Sequence, residues 1–315
     1  MPLLVAVVGP TASGKSALAI SLSERLGGEV VACDSTAVYR GFDIGTDKVP
    51  AAEQRGVPHH LVDLVEPTEV YSAARYARDT EPVIRAITAR RRLPILAGGT
   101  GLYYRALTRG LFPGPGRDEV LRARLSAIAQ RHGSRRLHRL LARVDPPSAR
   151  RIQPRDEKRM VRALEVYFRT GRPLTDHFAE TRAPLGDYRV VTVGLRLSAE
   201  ETAERVARRV QAQFARGIVD EVRGLLARGV PETALPFTGL VYRQVVEFLH
   251  GARDEVATRD LIVRENRRYA RRQLIWFRKE PNLTWIHGGG EQPATLDAVE
   301  RVLAREGVDL ADARE

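Results

Sequence analysis

The sequence predicts an α/β fold: a P-loop NTPase-like core built on a mainly parallel sheet, with an inserted helical lobe. Three observations predict it. The stretch VAVVGPTASGKSALAI, Val5 to Ile20, reads as strand, glycine-rich turn and helix in that order. Further apolar, β-branched runs alternate with stretches of helical composition, the arrangement that gives parallel strands joined by helical crossovers. From Asp118 to about Thr181 the chain is helical in composition, rich in Arg and without strand signals, which marks an insertion. The expected division is a core of residues 1–115 and 188–315 around a lobe of residues 116–187.

The first strand is expected over Leu3–Val8 and the first helix over Lys15–Leu26. Between them Gly9, Pro10, Thr11, Ala12, Ser13, Gly14, Lys15 and Ser16 complete the spacing G-x-x-x-x-G-K-[ST]. The glycines let backbone N–H groups turn toward an anion, and the helix N-terminus adds partial positive charge. Lys15 is placed to reach the outer phosphate and Ser16 to hold Mg²⁺. The motif predicts a bound di- or triphosphate without saying which molecule carries it.

The run EVVACDS reads as a second buried strand ending at Asp34. In an open parallel sheet the carboxyl ends of the strands form the ligand edge, so Asp34 is expected to face the crevice of the P-loop. There a carboxylate is either part of a metal shell or a general base. HLVDLV is expected to be a third strand. A helix should run from Ser72, as N-cap, to Arg92, kinked or broken at Pro82. RLPILAGGT is the fourth strand, and the Gly98, Gly99, Thr100, Gly101 turn after it allows close backbone approach to a ligand, with the Thr100 hydroxyl available to an anionic oxygen. A tight strand-to-helix turn is the alternative reading. His59 and His60 are adjacent and so point to opposite faces of a strand, a poor chelate.

After the lobe, YRVVTVGLRL (Tyr188–Leu197) returns to strand composition. Long helices are expected over Ala199–Leu226 and Asp254–Lys279, then a strand at LTWIH and an acidic tail from Glu306. The second of these helices carries Arg264, Arg268 and Arg272 at i, i+4 and i+8, with Arg267 and Arg271 beside them, a basic stripe suited to phosphates.

Composition narrows the partners. Over 315 residues, 43% hydrophobic and 29% charged content are those of a globular protein. No apolar run approaches the roughly 20 residues of a membrane span, and the N-terminus lacks the pattern of a signal peptide, so a cytoplasmic protein with no membrane association is expected. The single cysteine, Cys33, excludes an internal disulfide and a cysteine-held structural zinc. The net charge of +12 favours a polyanion, with nucleic acid first. Lys occurs only at positions 15, 48, 158 and 279, and a GC-rich genome would also produce such an Arg bias, so placement has to decide.

Taken together and in order, GPTASGKS, DSTAVY, DIGTDK, PHHLVD, YSAARY, GGTGLYY, RALEVY, TGLVYRQ and YARRQLIWFR resemble the tRNA dimethylallyltransferases over nearly the whole chain. The resemblance implies that the P-loop holds the diphosphate of dimethylallyl diphosphate rather than ATP. It implies transfer of the dimethylallyl group to the exocyclic N6 amine of the adenosine at position 37 of tRNA, next to the anticodon, with Asp34 as general base, Thr100 orienting the reacting groups, and Mg²⁺ on Ser16. It further implies a diphosphate contact at Arg223. Implied tRNA contacts are Asp34, Ser35, Thr36, Ala37, Thr100, Arg122 and the segment Lys158, Arg159, Met160, Val161 and Arg162, in a monomer acting on the anticodon stem-loop, with the lobe of residues 116–187 binding the tRNA. Three positions depart from the family pattern: Ala37 stands where Gln is frequent, Val241 where Gly is usual, and Asn266 where Thr is usual. The rival readings are a P-loop kinase or NTPase, a free-nucleotide isopentenyltransferase and a non-catalytic RNA-binding module.

Overall fold

The computed structural model describes residues 1–112 and 114–308. The chain divides into two compact units, Met1–Thr108 with Pro184–Glu315, and Arg109–Ala183. These limits lie a few residues before the 115/116 and 187/188 boundaries read from sequence.

In the larger unit β1 (Leu3–Val8), β2 (Gly28–Cys33), β3 (His59–His60), β4 (Leu93–Gly98), β5 (Arg189–Arg196) and β6 (Leu283–His287) form one sheet in the order β3-β2-β4-β1-β5-β6. Every pairing is parallel. β1 is central and nearly all buried because its run of Leu, Val and Ala is covered on both faces, as parallel strands require. The helices are α1 (Lys15–Leu26), α2 (Ala73–Ala89), α3 (Gly101–Arg109), five that belong to the smaller unit, then α9 (Ala199–Ala215), α10 (Ile218–Ala227), α11 (Tyr242–Leu249), α12 (Glu255–Phe277) and α13 (Pro293–Arg305). The core between sheet and helices gathers Val5, Val7, Leu18, Leu22, Ile95 and Val193.

Three sequence expectations need correction. HLVDLV is not a strand beyond His60: Leu61 and Asp63 take left-handed φ of 63° and 51°, which an extended strand excludes. The turn instead brings Asp63 Oδ1 to the Lys48 ammonium at 2.5 Å. α2 is continuous through Pro82, capped as expected by Ser72, whose hydroxyl accepts from the Arg75 N–H. Pro82 is exposed, so water can serve the carbonyl its ring deprives of a donor. The segment Ala199–Leu226 is two helices, because Gly217 adopts φ of 88° and starts α10 in a new direction. The tail beyond Val308 lies outside the described residues.

The smaller unit consists of α4 (Glu119–His132), α5 (Ser134–Val144), α6 (Pro146–Arg151), α7 (Glu157–Thr170) and α8 (Leu174–Ala179), with no strand among its described residues. Leu125, Leu137, Leu141, Met160 and Leu164 form its own core. Beside that core the buried Glu165 carboxylate accepts from Arg122 at 2.8 and 2.9 Å, from Arg162 at 2.7 Å and from the Asp118 N–H at 2.8 Å. Burial pushes Glu165 up, but Arg122, the Asp118 N–H and Arg162 outweigh it and hold the carboxyl at about 2.

Candidate active site

The P-loop follows β1 at the carboxyl edge of the sheet. Gly14 ends it in the left-handed region, φ 84°, immediately before α1, and a Cβ there would fall 2.6 Å from the Gly290 nitrogen. Only glycine meets both conditions. The loop is packed from behind: Gly290 N–H donates to the Ser13 carbonyl at 2.9 Å, and the Ser13 hydroxyl donates to the Pro10 carbonyl at 2.8 Å. From α12, Gln273 accepts the Thr11 N–H at 2.8 Å and donates to the Gly99 carbonyl at 3.0 Å, clamping the P-loop to the glycine turn after β4.

Two cations converge on the loop. Lys15 Nζ donates to the Pro10 carbonyl at 2.5 Å, and Arg209 of α9 donates to the Thr11 hydroxyl at 2.9 Å. Burial and the nearby Arg209 guanidinium lower the Lys15 ammonium to about 8, against the opposing pull of Asp34 and Cys33. A site that destabilises its own cation in this way is short of an anion.

Asp34 stands at the end of β2. Its Oδ1 accepts from the Thr36 N–H (2.8 Å), the Thr36 hydroxyl (2.6 Å) and the Ala37 N–H (3.2 Å), while Oδ2 has no hydrogen-bond partner among the described residues. One oxygen fixes the carboxylate, and the other is left open to the cleft. Thr100 ties this turn to β4: its hydroxyl accepts the Ser35 N–H at 3.1 Å and its own N–H donates to the Cys33 carbonyl at 3.2 Å.

These groups line one cleft of about 690 Å³ that includes Thr11, Lys15, Ser16, Asp34–Ala37, Gly98, Gly99 and Arg209, with Val241, Tyr269 and Arg272 also on its walls. The loop carrying DIGTDK supports the wall: Glu221 accepts the Asp43 and Ile44 N–H groups and the Tyr242 hydroxyl, which in turn accepts the Gly45 N–H. Tyr269 lies close enough to Asp34 that burial, reinforced by that carboxylate, pushes its phenol up to about 12, so it stays a neutral donor.

The structure thus brings the P-loop, Asp34–Ala37 and Thr100 together, and places several other predicted residues elsewhere. Thr100 is half-exposed and holds the cleft wall together, accepting the Ser35 N–H and standing within hydrogen-bonding reach of Tyr269. Arg223 is outside the cleft, exposed on α10 and paired with Asp220 at 3.0 Å; the arginine beside the P-loop is Arg209. In the smaller unit Met160 and Val161 are buried in the core, so of the segment from Lys158 to Arg162 these two cannot present side chains to a ligand. Arg122 and Arg162 are committed to Glu165, whereas Lys158 and Arg159 are exposed. His59 and His60 go to the Val57 carbonyl and Glu29, and no cluster of three or more metal-ligating residues occurs among the described residues.

Comparison with known proteins agrees with this geometry. The model of the IPP transferase family matches residues 37–280. A tRNA dimethylallyltransferase of Solibacter usitatus is 47% identical over 304 residues, covering 95% of this chain and 97% of that protein. A tRNA isopentenylpyrophosphate transferase structure from Bacillus halodurans superposes with a TM-score of 0.72 at 36% identity, covering 100% of this chain and 98% of the other. A eukaryotic dimethylallyltransferase crystallised acting on tRNA shares the fold, with a TM-score of 0.77 at 23% identity over 98% of this chain and 79% of the other. With the family model spanning most of its length and relatives aligned nearly end to end, this chain belongs to the IPP transferase family.

Proposed function

We propose that the chain transfers the dimethylallyl group of dimethylallyl diphosphate to the N6 amine of adenosine 37, next to the anticodon of tRNA, and releases diphosphate. The observation that carries this reading is the free Oδ2 of Asp34 in the same cleft as a complete P-loop. An adenine amine is a weak nucleophile because its lone pair is delocalised into the ring, so a base must take its proton as the new C–N bond forms. Asp34 takes that proton on Oδ2. Thr36 and Ala37 hold Oδ1 so that the carboxylate does not rotate, and Thr100 positions the turn through the Ser35 N–H. As the C1–O bond breaks, negative charge grows on the diphosphate, and Lys15, Arg209 and the N-terminus of α1 are the groups that offset it.

The residues also fit Mg²⁺. Ser16 is exposed at the mouth of the P-loop, and no cluster of three or more metal-ligating residues stands there among the described residues, which suits an ion held mainly by diphosphate oxygens and water. When bound, the ion would add a Lewis acid on the leaving group. Chemistry on a stacked base requires the adenine to leave its stack, and the cleft between Asp34–Ala37 and Tyr269 is where it would be received. Charge placement supports an RNA partner: residues 109–183 hold 18 Lys and Arg against 8 Asp and Glu, ten of the twelve net positive charges. Action as a monomer in the cytoplasm belongs to the same reading; no described helix is long and apolar enough to cross a membrane.

Labelled dimethylallyl diphosphate with tRNA, with AMP, and ATP alone are the three assays that test it. Label should enter tRNA and not AMP, and ATP should release no phosphate. Asp34→Asn should bind both substrates within several-fold of the parent and lose roughly 10²-fold or more in single-turnover rate. Near-parental turnover by that variant removes Asp34 as the base, and Lys15-dependent phosphate release from ATP would favour the kinase reading.

A further inference from the structure

α12 turns one face to the cleft. Glu265, Asn266, Tyr269, Arg272 and Gln273 recur at intervals of three and four residues, and all five line it. Three of them are engaged within the protein: Gln273 clamps the P-loop to the turn after β4, Asn266 donates to the Ile262 carbonyl at 2.9 Å, and Glu265 accepts from Arg268 at 2.7 Å. Proton removal by Asp34 and the offset of charge by Lys15 and Arg209 leave Tyr269 without a task.

Its place is nonetheless closely defined. Gln273, one turn further on, ties α12 to Thr11 and Gly99 and so fixes the register of the helix against the P-loop. The Arg272 guanidinium lies over the Tyr269 ring, 5.6 Å from its centroid. The hydroxyl end comes within reach of Thr100, whose own hydroxyl accepts the Ser35 N–H at 3.1 Å, next to Asp34. Burial and the Asp34 carboxylate push the phenol up to about 12, while Thr100 acts in the opposite sense, as a hydroxyl donating to the phenol oxygen does. The phenol therefore keeps its proton, and with Thr100 as donor that proton is left for a ligand. An acceptor, Asp34 Oδ2, and a donor, the Tyr269 hydroxyl, stand beside each other on the wall of one cleft.

We infer that the Tyr269 hydroxyl donates to N1 of the target adenine while Asp34 Oδ2 accepts from its N6 amine, so that these two residues read the Watson–Crick edge of the base. The inference deepens the proposed function and rests on it for the identity of the base. Adenine presents an acceptor at N1 beside the donor at N6, the complement of this pair. Guanine presents a carbonyl oxygen at position 6 beside an N–H at N1, which sets two acceptors together at Asp34 and two donors together at Tyr269. A donor aimed at N7, on the other side of the amine, would not separate the purines, because N7 is an acceptor in both.

The test uses the full chain and Tyr269→Phe, which keeps the ring under Arg272 and removes only the hydroxyl. Each is given three stem-loop RNAs, with adenine, 1-deazaadenine or 7-deazaadenine at the target position. Equilibrium binding in the presence of inorganic diphosphate and single-turnover transfer from dimethylallyl diphosphate are both measured. Replacing N1 should weaken the parent about tenfold in each, because it strands the phenol proton, and should weaken Tyr269→Phe by less than about twofold. The change that the missing nitrogen makes in the amine itself is common to both proteins, so the ratio of the two penalties isolates the contact. Replacing N7 should affect both proteins alike, and Tyr269→Phe should keep the parental melting temperature and KM for dimethylallyl diphosphate. Equal 1-deazaadenine penalties in parent and variant overturn the contact. A penalty that the variant loses for 7-deazaadenine instead overturns the reading of the Watson–Crick edge. A parent whose binding depends on N1 through Tyr269 but that transfers no prenyl group would leave the contact standing and remove the proposed function.

Discussion

At the scale of single residues the site is organised around Lys15 and Asp34. Lys15 is half-buried beside Arg209, with its own loop's Pro10 carbonyl as acceptor. Asp34 is pinned through one carboxylate oxygen while the other goes without a partner among the described residues. The Lys15 pKa in the folded, ligand-free protein is lowered to about 8, below the value in the unfolded chain, so the charged form costs stability at neutral pH and the cost fades as pH rises through 8. Lys15→Met should therefore raise the melting temperature of the free protein at about pH 7 while abolishing measurable diphosphate binding. The same shift gives a pH dependence. Diphosphate prefers the cationic lysine, so once the ligand's own ionisation is corrected for, its affinity should be level below pH 8 and weaken by roughly tenfold per unit above it, until other groups titrate. Isothermal titration with inorganic diphosphate from about pH 6.5 to 9.5 checks this. A flat profile, or a variant less stable than the parent, would mean that Lys15 is not a desolvated cation waiting for an anion.

At the scale of elements, α12 does more for the site than its basic stripe suggests. From Ile262 its buried positions run Asn266, Ala270, Gln273 and Phe277, and two of these five are amides. A polar side chain at a core position of a helix needs a partner, and Gln273 finds one on each of two loops. Gln273→Leu strands the Thr11 N–H and the Gly99 carbonyl, each costing about 1–3 kcal/mol if left unpaired. It should lower the melting temperature by several degrees and raise the KM for dimethylallyl diphosphate more than that for RNA. Gln273→Glu keeps the acceptor and loses the donor, and should fall between; a Leu variant with parental stability would show that the clamp is dispensable. The sequence carries the signal for Gln273 in that interrupted apolar period, but nothing in it sets Arg209 apart from Arg208, since pairing depends on how α9 lies over the P-loop. β1, α1, β4 and β6 are legible nearly to the residue because their apolar runs end at glycines or at changes of period. β3 is not, because Leu61 and Asp63 look strand-like and are turned only by tertiary contacts such as Lys48 with Asp63. Val241 keeps a positive φ of 73° against the preference of a β-branched residue. Val241 is buried, and its conformation is not readable from the residue itself.

At the scale of the whole molecule, charge is divided between the two units as sharply as the chain is. The larger unit holds the P-loop and Asp34 yet carries a net charge of only +2, and the smaller carries +10. Small-anion capture by a few buried cations and RNA capture by many exposed ones should therefore respond differently to salt. Cations inside a cleft are screened little, whereas each phosphate met at the surface releases counterions, with a slope of about −0.7 to −0.9 for every neutralised charge. Raising salt from about 50 to 200 mM should increase the KM for tRNA by about two orders of magnitude or more if as few as about four such contacts form, and the KM for dimethylallyl diphosphate by only a few-fold. Arg159→Ala and Arg268→Ala, each exposed and each tied only to one neighbouring acid, should each flatten the tRNA slope by about one unit or less and leave kcat alone, because they lie outside the chemistry. Steady-state kinetics with each substrate varied in turn, over the same salt series, makes the comparison. Parallel salt dependences for the two substrates would mean that the positive surplus of the smaller unit is not engaged, and that the RNA is held by the cleft around Asp34 alone.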